Sequence, residues 1–433
     1  GTSSAAASAV TAAVDAVAAF AAWAEVPEAE HPEDRRRRAL ASMESLYEVA
    51  WARIHAKAKA LPASLNDGDC GGEVSLRPWR EVFAACCVMR CLLLAAGAAA
   101  PSSASPALTA VAREALRMAD LGLIIAGPEA RAAESLFRTA QRLAGALAEA
   151  CDGDGEGTLG ASPSTPPAKR LRSCVKARPL ARRRAAIPPI RRALRELPAG
   201  RAPDLEELLG HLARSEPILV RGGCRAWPAV ERWADEAFWC KGAIGQRFVP
   251  VEMDYWFEEG YSVMSIRDFV GHCLANEDRD ETAPGLSGGG YIAQHSLLDQ
   301  VSELEADVAT PDLALCGPDG HLLRQCFFGP RGTVTPIHFD PYENAFCQVV
   351  GAKYLRLYPP AEAPRLYPRD ASDPLRNNST VEPADILEGE AAGAYGGTEG
   401  RFPKLLEAEF VEAILEPGDL LFLPRGWWHY VKS

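Results

Sequence analysis

Two periodicities divide the chain. In the first third, apolar residues recur at helical spacing: Leu40, Met43, Leu46, Tyr47, Val49 and Ala50, then Val82, Phe83, Cys86, Cys87, Met89 and Leu93. Helical patterns follow over 107–120 and 129–150, with breaks at Pro101, Pro106 and Gly127-Pro128. Strand signals are nearly absent here, so residues 1–150 are expected to form an α-helical domain. After about residue 203 short apolar runs replace the long period. They are Ile218-Leu-Val-Arg, Phe248-Val-Pro-Val-Glu, Tyr291-Ile-Ala-Gln, Arg324-Gln-Cys-Phe-Phe, Ala345-Phe-Cys-Gln-Val-Val, Lys353-Tyr-Leu-Arg-Leu-Tyr, Phe410-Val-Glu-Ala-Ile-Leu and Asp419-Leu-Leu-Phe-Leu-Pro. Many short strands between Gly, Pro and Asp turns predict a β-sandwich or barrel over 203–433, with helices surviving at 229–239 and 265–275. Residues 151–202 separate the two regions with linker composition, first Gly, Pro, Ser and Asp and then a basic strap.

Composition agrees with a folded protein. Of 433 residues, 48% are hydrophobic and 24% charged, and two or three domains are expected. The longest apolar stretch, 83–100, contains Arg90, which argues against a membrane span, and the start shows no secretory signal. Twelve cysteines in a chain of this length, none in a C-x-x-C pair, read as reduced thiols of an intracellular protein. The net charge is −12, but Lys169 to Arg195 hold 11 basic residues and no acid, which leaves −23 for the rest. That distribution does not suit nucleic-acid binding by the folded parts, and the strap, with its basic runs at 167–172 and 182–184, is expected to act as a nuclear localisation signal. Asp152, Asp154 and Glu156 imitate half of an EF-hand loop, but Pro163 stands where the last carboxylate ligand belongs.

The candidate chemistry lies in the β region. His338 and Asp340 form an H-x-D pair, and on a strand residues i and i+2 face the same side. His429 follows 89 residues after Asp340, behind a Pro417-Gly418-Asp419 turn and a buried apolar run. Two imidazoles and one carboxylate on one face leave coordination positions open, which suits non-haem Fe(II) better than a closed zinc site. Lys353 begins an alternating segment after the Gly351-Ala352 turn, one strand over if that turn closes a hairpin. A lysine pointing into a barrel needs an anion, and a dicarboxylate chelating the metal at its other end would supply it.

From Glu216 to His429 the sequence resembles the Jumonji-C oxygenases, a cupin-type Fe(II)- and 2-oxoglutarate-dependent family. It is most similar to the subfamily called jumonji domain-containing protein 5, also known as lysine demethylase 8 and as an arginyl hydroxylase. The segments that carry the likeness include Pro217-Ile-Leu-Val-Arg, Val249-Pro-Val-Glu, Gly290-Tyr-Ile-Ala-Gln-His-Ser-Leu-Leu-Asp-Gln, Phe328-Gly-Pro-Arg-Gly-Thr-Val-Thr-Pro-Ile-His-Phe-Asp-Pro-Tyr-Glu-Asn, Gly351-Ala-Lys-Tyr-Leu-Arg-Leu-Tyr-Pro-Pro and Trp428-His-Tyr-Val. The helical third matches more loosely, through Leu76-Arg-Pro-Trp-Arg-Glu-Val-Phe.

The resemblance implies a C-terminal double-stranded β-helix (cupin or jelly-roll) behind the helical domain. It implies His338, Asp340 and His429 as iron ligands, with 2-oxoglutarate and O2 as co-substrates. Lys353 would bind the distal carboxylate of 2-oxoglutarate with Tyr291 and Thr335, and Asn344 and Gln294 would stand nearby. Glu252 and Phe327 match substrate-pocket positions, where an acid pairs a cationic side chain and an aromatic stacks on it; read by residue type alone, they are equally a strand-surface acid and a core aromatic. The implied substrate is a protein or peptide, histone or chromatin-associated, presenting arginine or methyl-lysine. Arginine C3 hydroxylation, lysine N-demethylation and a non-catalytic chromatin scaffold are the readings to separate. Two departures stand out: position 327 is Phe where the subfamily usually has Trp, and Ser433 comes where the family continues into another strand, which would expose a sheet edge and open one wall of the co-substrate pocket.

Overall fold

A computed structural model of the chain describes residues 43–44, 47–52, 77–98, 106–127, 130–153, 189–201, 203–253, 261–274, 290–316, 322–373, 375–383, 386 and 402–433. The Gly/Pro linker, most of the basic strap and the chain before residue 43 lie outside these residues. The helical pattern produces three long helices, α1 (Arg77–Ala98), α2 (Pro106–Ala126) and α3 (Ala133–Gly153). Pro106 opens α2, where the helix would leave its amide unbonded anyway. Gly127 closes it at φ +78, a left-handed value that glycine reaches without strain, and its N–H returns to Leu123 O at 2.9 Å. Phe83, Cys86, Cys87, Leu116, Met118, Leu136, Ala140 and Ala144 fill the space between the helices. Eight of the described cysteines, Cys86, Cys87 and Cys91 of the helical domain among them, are free thiols. Burial pushes Cys86 and Cys91 up to about 12, so they sit as neutral apolar filler. None of the described helices is long and apolar enough to cross a membrane.

Among the described residues, twelve strands follow. One sheet has the order β10 (Val411–Leu415), β9 (Lys353–Tyr358), β12 (Trp428–Lys432), β7 (Val334–Phe339). The other has the order β1 (Glu196–Leu197), β2 (Ile218–Val220), β11 (Leu420–Leu423), β8 (Asn344–Cys347). Leu355, Leu357, Ala413, Leu415 and Val431 from the first sheet meet Leu219, Leu421 and Leu423 from the second in one cluster, as the facing walls of a jelly-roll must. The outer face of the first sheet carries Tyr354, Tyr358, Trp428 and Tyr430 under a cover that includes Leu366, Phe402 and Leu405. Alternation along β9 and β12 thus separates an inner set, which includes Lys353 and His429, from an outer aromatic set. Two hairpin-like pairs, β3 (Phe248–Glu252) with β4 (Tyr261–Ser265) and β5 (Ile292–His295) with β6 (Cys326–Phe328), join this body.

Three expectations change. The linker was expected to end at 202, yet Glu196 and Leu197 pair in parallel with Leu219 and Val220, and Ala193 bridges Glu412. The barrel therefore begins before residue 203: the basic strap ends as an edge strand, held through main-chain bonds that side-chain composition does not reveal. The helix expected over 229–239 is two short helices, Pro228–Arg232 and Glu236–Cys240. Asp235 caps the second by accepting from Ala237 N at 3.0 Å. The helix expected over 265–275 starts at Ile266, capped by Ser265, and loosens into a π turn over Val270–Leu274.

Residue Glu412 locks the strap to the sheet. Its buried carboxylate accepts from Tyr354 OH at 2.5 Å, from Arg356 Nη2 at 3.2 Å and from the backbone N–H groups of Arg191 and Arg192 at 2.7 and 3.2 Å. Glu412→Ala removes the carboxylate facing a buried guanidinium and should cost about 3–5 kcal/mol. Urea unfolding should show this as a lowered midpoint; an unchanged midpoint would mean the pair holds nothing.

Candidate metal centre and the adjoining anion pocket

Strand β7 gains one residue against its partner. His338 lies opposite His429, but Thr335 lies opposite Val431, so three steps on β7 match two on β12. The extra residue falls at Pro336-Ile337, and proline tolerates such a break because it has no N–H to give the ladder. Val334 and Ile337, three apart, consequently both join the outer cluster, with Phe339 packed on it. His338 and Asp340 are left on the inner face. There the His338 and His429 rings lie 4.1 Å apart, and His429 Nε2 is 3.8 Å from Asp340 Oδ2. One ligand atom from each of His338, Asp340 and His429 falls within 4.8 Å of the others.

Each imidazole is oriented by its own strand. His338 Nδ1 meets Pro336 O at 2.9 Å, and His429 Nδ1 meets Trp427 O at 3.0 Å. A carbonyl only accepts, so Nδ1 carries the proton in both rings and each Nε2 lone pair is free to ligate. Asn344 Nδ2 donates to Asp340 Oδ2 at 2.9 Å, and Gly426 N donates to Asp340 O at 2.8 Å. His429 is buried; burial, then the neighbouring His338, lowers its pKa to about 4 against the pull of Asp340. A neutral imidazole is the form that binds metal. Two imidazole nitrogens and one carboxylate oxygen, with no thiolate among them, fit a first-row divalent ion such as Fe(II).

The expected co-substrate residues divide. Lys353 Nζ donates to Ser433 Oγ at 2.8 Å and to Tyr291 OH at 3.4 Å, and it stands 5.6 Å from the Tyr291 ring centre. No carboxylate pairs with Lys353 among the described residues, and burial lowers its pKa to about 8. Burial, then Glu252, raises the Tyr291 hydroxyl well above the tyrosine range. Tyr291 owes its place to Gly329, where a Cβ would come within 2.2 Å of the Tyr291 ring. Thr335 lies in one row with Val431 and Leu355, on the path between the metal row at His429 and Leu357 and the lysine. Asn344 donates to Asp340, so it steadies a candidate metal ligand. Gln294 is exposed, at φ +47 beside a break in the β5–β6 ladder, and makes no hydrogen bond among the described residues.

The two substrate-side candidates also separate. Glu252 is buried, and its backbone exchanges N–H···O bonds with Tyr291 at 2.8 and 2.9 Å. Phe327 is 44% exposed, which excludes a core role, and its ring centre lies 6.4 Å from that of Tyr291. Sequence reasoning missed the segment that edges β7. Asn377 O accepts from Phe339 N, Ser379 N donates to Ile337 O, and Asn378 bridges His338. These residues carry no periodic signal, because they make isolated bonds and not a strand.

Residues 205–433 match the family model described as a cupin-like domain. The chain is 32% identical over 243 residues to lysine-specific demethylase 8 of Xenopus tropicalis, covering 55% of this chain and 50% of that protein. It is 30% identical over 368 residues to lysine-specific demethylase 8 of Danio rerio, covering 82% of this chain and 79% of that protein. It is 32% identical over 250 residues to Jumonji C domain-containing protein 5 of Drosophila melanogaster, covering 55% of this chain and 57% of that protein. Thus the chain spans about half the length of two of these relatives and more than three quarters of the third.

If Asn344 restrains Asp340, Asn344→Ala should weaken Mn(II) binding about tenfold or more while the fold persists. Calorimetric titration with Mn(II) would read this, and wild-type affinity in the variant would remove Asn344 from the site.

Proposed function

The chain belongs to the cupin-like Jumonji-C family, and on that premise we propose that it is an Fe(II)- and 2-oxoglutarate-dependent dioxygenase acting on a basic side chain of a protein. The observation that carries this reading is the convergence of His338, Asp340 and His429 beside a half-buried lysine with no carboxylate partner among the described residues. When bound, the iron supplies the oxidation, in which O2 and 2-oxoglutarate yield succinate, CO2 and one oxygen atom inserted into a substrate C–H bond. The chain's own residues hold and orient. Both imidazoles present Nε2, Asp340 presents a carboxylate steadied by Asn344, and the inner face beyond them carries Leu355, Leu357 and Val431, which exclude water. Lys353 and Tyr291 offer an ammonium and a hydroxyl to the distal carboxylate of the diacid. The Cα of Lys353 stands four residues along β9 from Leu357, the partner of His429, which is about 13 Å of strand. A lysine side chain and a five-carbon diacid extended towards each other are suited to such a span.

Hydroxylation of arginine at C3 is the finer reading. Phe327 offers one exposed aromatic face and Glu252 one acid near Tyr291, enough to stack and pair a planar guanidinium. A methylated ammonium would gain most from several aromatic walls. The names of the vertebrate relatives support a second reading, N-demethylation of lysine, which would proceed by hydroxylation of the methyl group and loss of formaldehyde. Mass spectrometry of basic peptides incubated with the protein, Fe(II), ascorbate and 2-oxoglutarate separates them, because hydroxylation adds an oxygen and demethylation removes a CH2.

His338→Ala should abolish peptide-dependent succinate release; undiminished turnover would remove His338 from the ligand set. Dicarboxylate binding should also follow the charge of Lys353. In the free protein this lysine is protonated below about pH 8 and neutral above it. Affinity for 2-oxoglutarate should therefore be full below that pH and fall as pH rises through it, with the midpoint moved upward in the complex because the bound anion favours the charged form. Equilibrium titrations between pH 6.5 and 9.5, on wild type and on Lys353→Met, which should bind weakly at every pH, would check the assignment.

A further inference from the structure

The helical domain contributes a carboxylate to the interior of the barrel region. Asp120, on α2, is fully buried. It accepts from Arg247 Nε at 2.9 Å and Nη2 at 2.7 Å, from the backbone N of Phe248 at 2.8 Å and from Gln300 Nε2 at 2.9 Å. Arg247, fully buried as well, has Asp120 as its carboxylate partner and gives a further bond to Gln300 O at 2.7 Å. Gln300 Nε2 also donates to Phe248 O at 2.7 Å, which fixes the amide's orientation and turns its oxygen to His295 Nε2 at 2.5 Å. Since that oxygen only accepts, His295 Nε2 is the donor.

These residues form a clamp at one end of two neighbouring strands. Phe248 begins β3 and His295 ends β5, while Gln300 closes the short helix that follows β5. At the other end of the same strands, Glu252 and Tyr291 exchange backbone hydrogen bonds, and the Tyr291 hydroxyl receives the ammonium of Lys353. The clamp and the pocket are thus separated by the length of β3, four residues or about 13 Å, with β3 and β5 tied to each other at one end through the clamp and at the other through the Glu252–Tyr291 bridge.

We infer that Asp120 is a positioning residue: through Phe248 and Gln300 it sets the place of β3 and β5, and so of Tyr291 and Glu252 in the co-substrate and substrate pocket. The helical domain is then a working part of the catalytic unit and not a separate tether. This rests on the 2-oxoglutarate reading of the pocket, but the clamp can be tested without it.

Two variants carry the test. Asp120→Asn keeps the shape and removes the charge. The double variant Asp120→Leu/Arg247→Met removes both charges, a change that well-packed apolar replacements often tolerate, while losing the bonds to Phe248 and Gln300. The first readout is backbone hydrogen exchange over 248–252 and 291–295, which needs neither metal nor turnover. The second is 2-oxoglutarate affinity in the presence of Mn(II). Both variants should exchange faster in these two segments than in the strands β9 and β12, and both should bind 2-oxoglutarate about tenfold more weakly. Protection lost uniformly over the chain, or unchanged in both segments, would overturn the inference. Failure of the wild-type protein to bind 2-oxoglutarate would instead count against the proposed function and leave the exchange result to decide the clamp.

Discussion

A positive charge taken out of water must find a negative one, and three cations among the described residues, two buried and one half-buried, meet that demand differently. Arg356 lies against Glu412 within the barrel, and that carboxylate also gathers the end of the basic strap. Arg247 is met by Asp120 from another domain. Lys353 is met by hydroxyls alone, Tyr291 and Ser433. The first two arrangements are closed and hold the architecture together. The third is incomplete as electrostatics, and it is there that we propose an anion binds. Burial of the same kind thus stabilises at two places and prepares binding at a third, and what separates them is whether the chain supplies the carboxylate.

The legible parts of the fold were the short apolar runs bounded by turn residues. Eight apolar runs were expected as strands, and β2, β3, β5, β6, β8, β9, β10 and β11 lie on them. Alternation also placed Lys353 correctly, on the face of Leu355 and Leu357. The H-x-D pair and the distant histidine were legible for the same reason, since residues two apart on a strand share a side. Less legible were elements made by main-chain pairing without an apolar pattern. Tyr261–Ser265 forms β4 although its polar residues interrupt any run, and Glu196–Leu197 pairs although it follows a dense basic segment.

Side-chain roles were harder still. The amide of Asn344 reaches Asp340, a contact that no spacing rule contains. Gln294 belonged to a matching segment yet faces solvent, because its backbone is left-handed at a ladder break. The Asp120 clamp was hidden for a different reason. An aspartate in a mostly apolar helix looks like a residue on the polar face, and its partner stands 127 positions away.

The extra residue in β7 sets different limits on change at different places. In the connection between β9 and β10 the chain can lengthen or shorten, because its ends are fixed by the pairing of those two strands and none of the three candidate metal ligands lies within it. Between Thr335 and His338 no such freedom exists. One amino acid gained or lost there reverses the facing of everything downstream on the strand, turning the imidazole towards the aromatic cover and a bulky apolar group towards the ion. Homologues of this chain should therefore differ widely in the length of the long connection and agree to the residue in the short one.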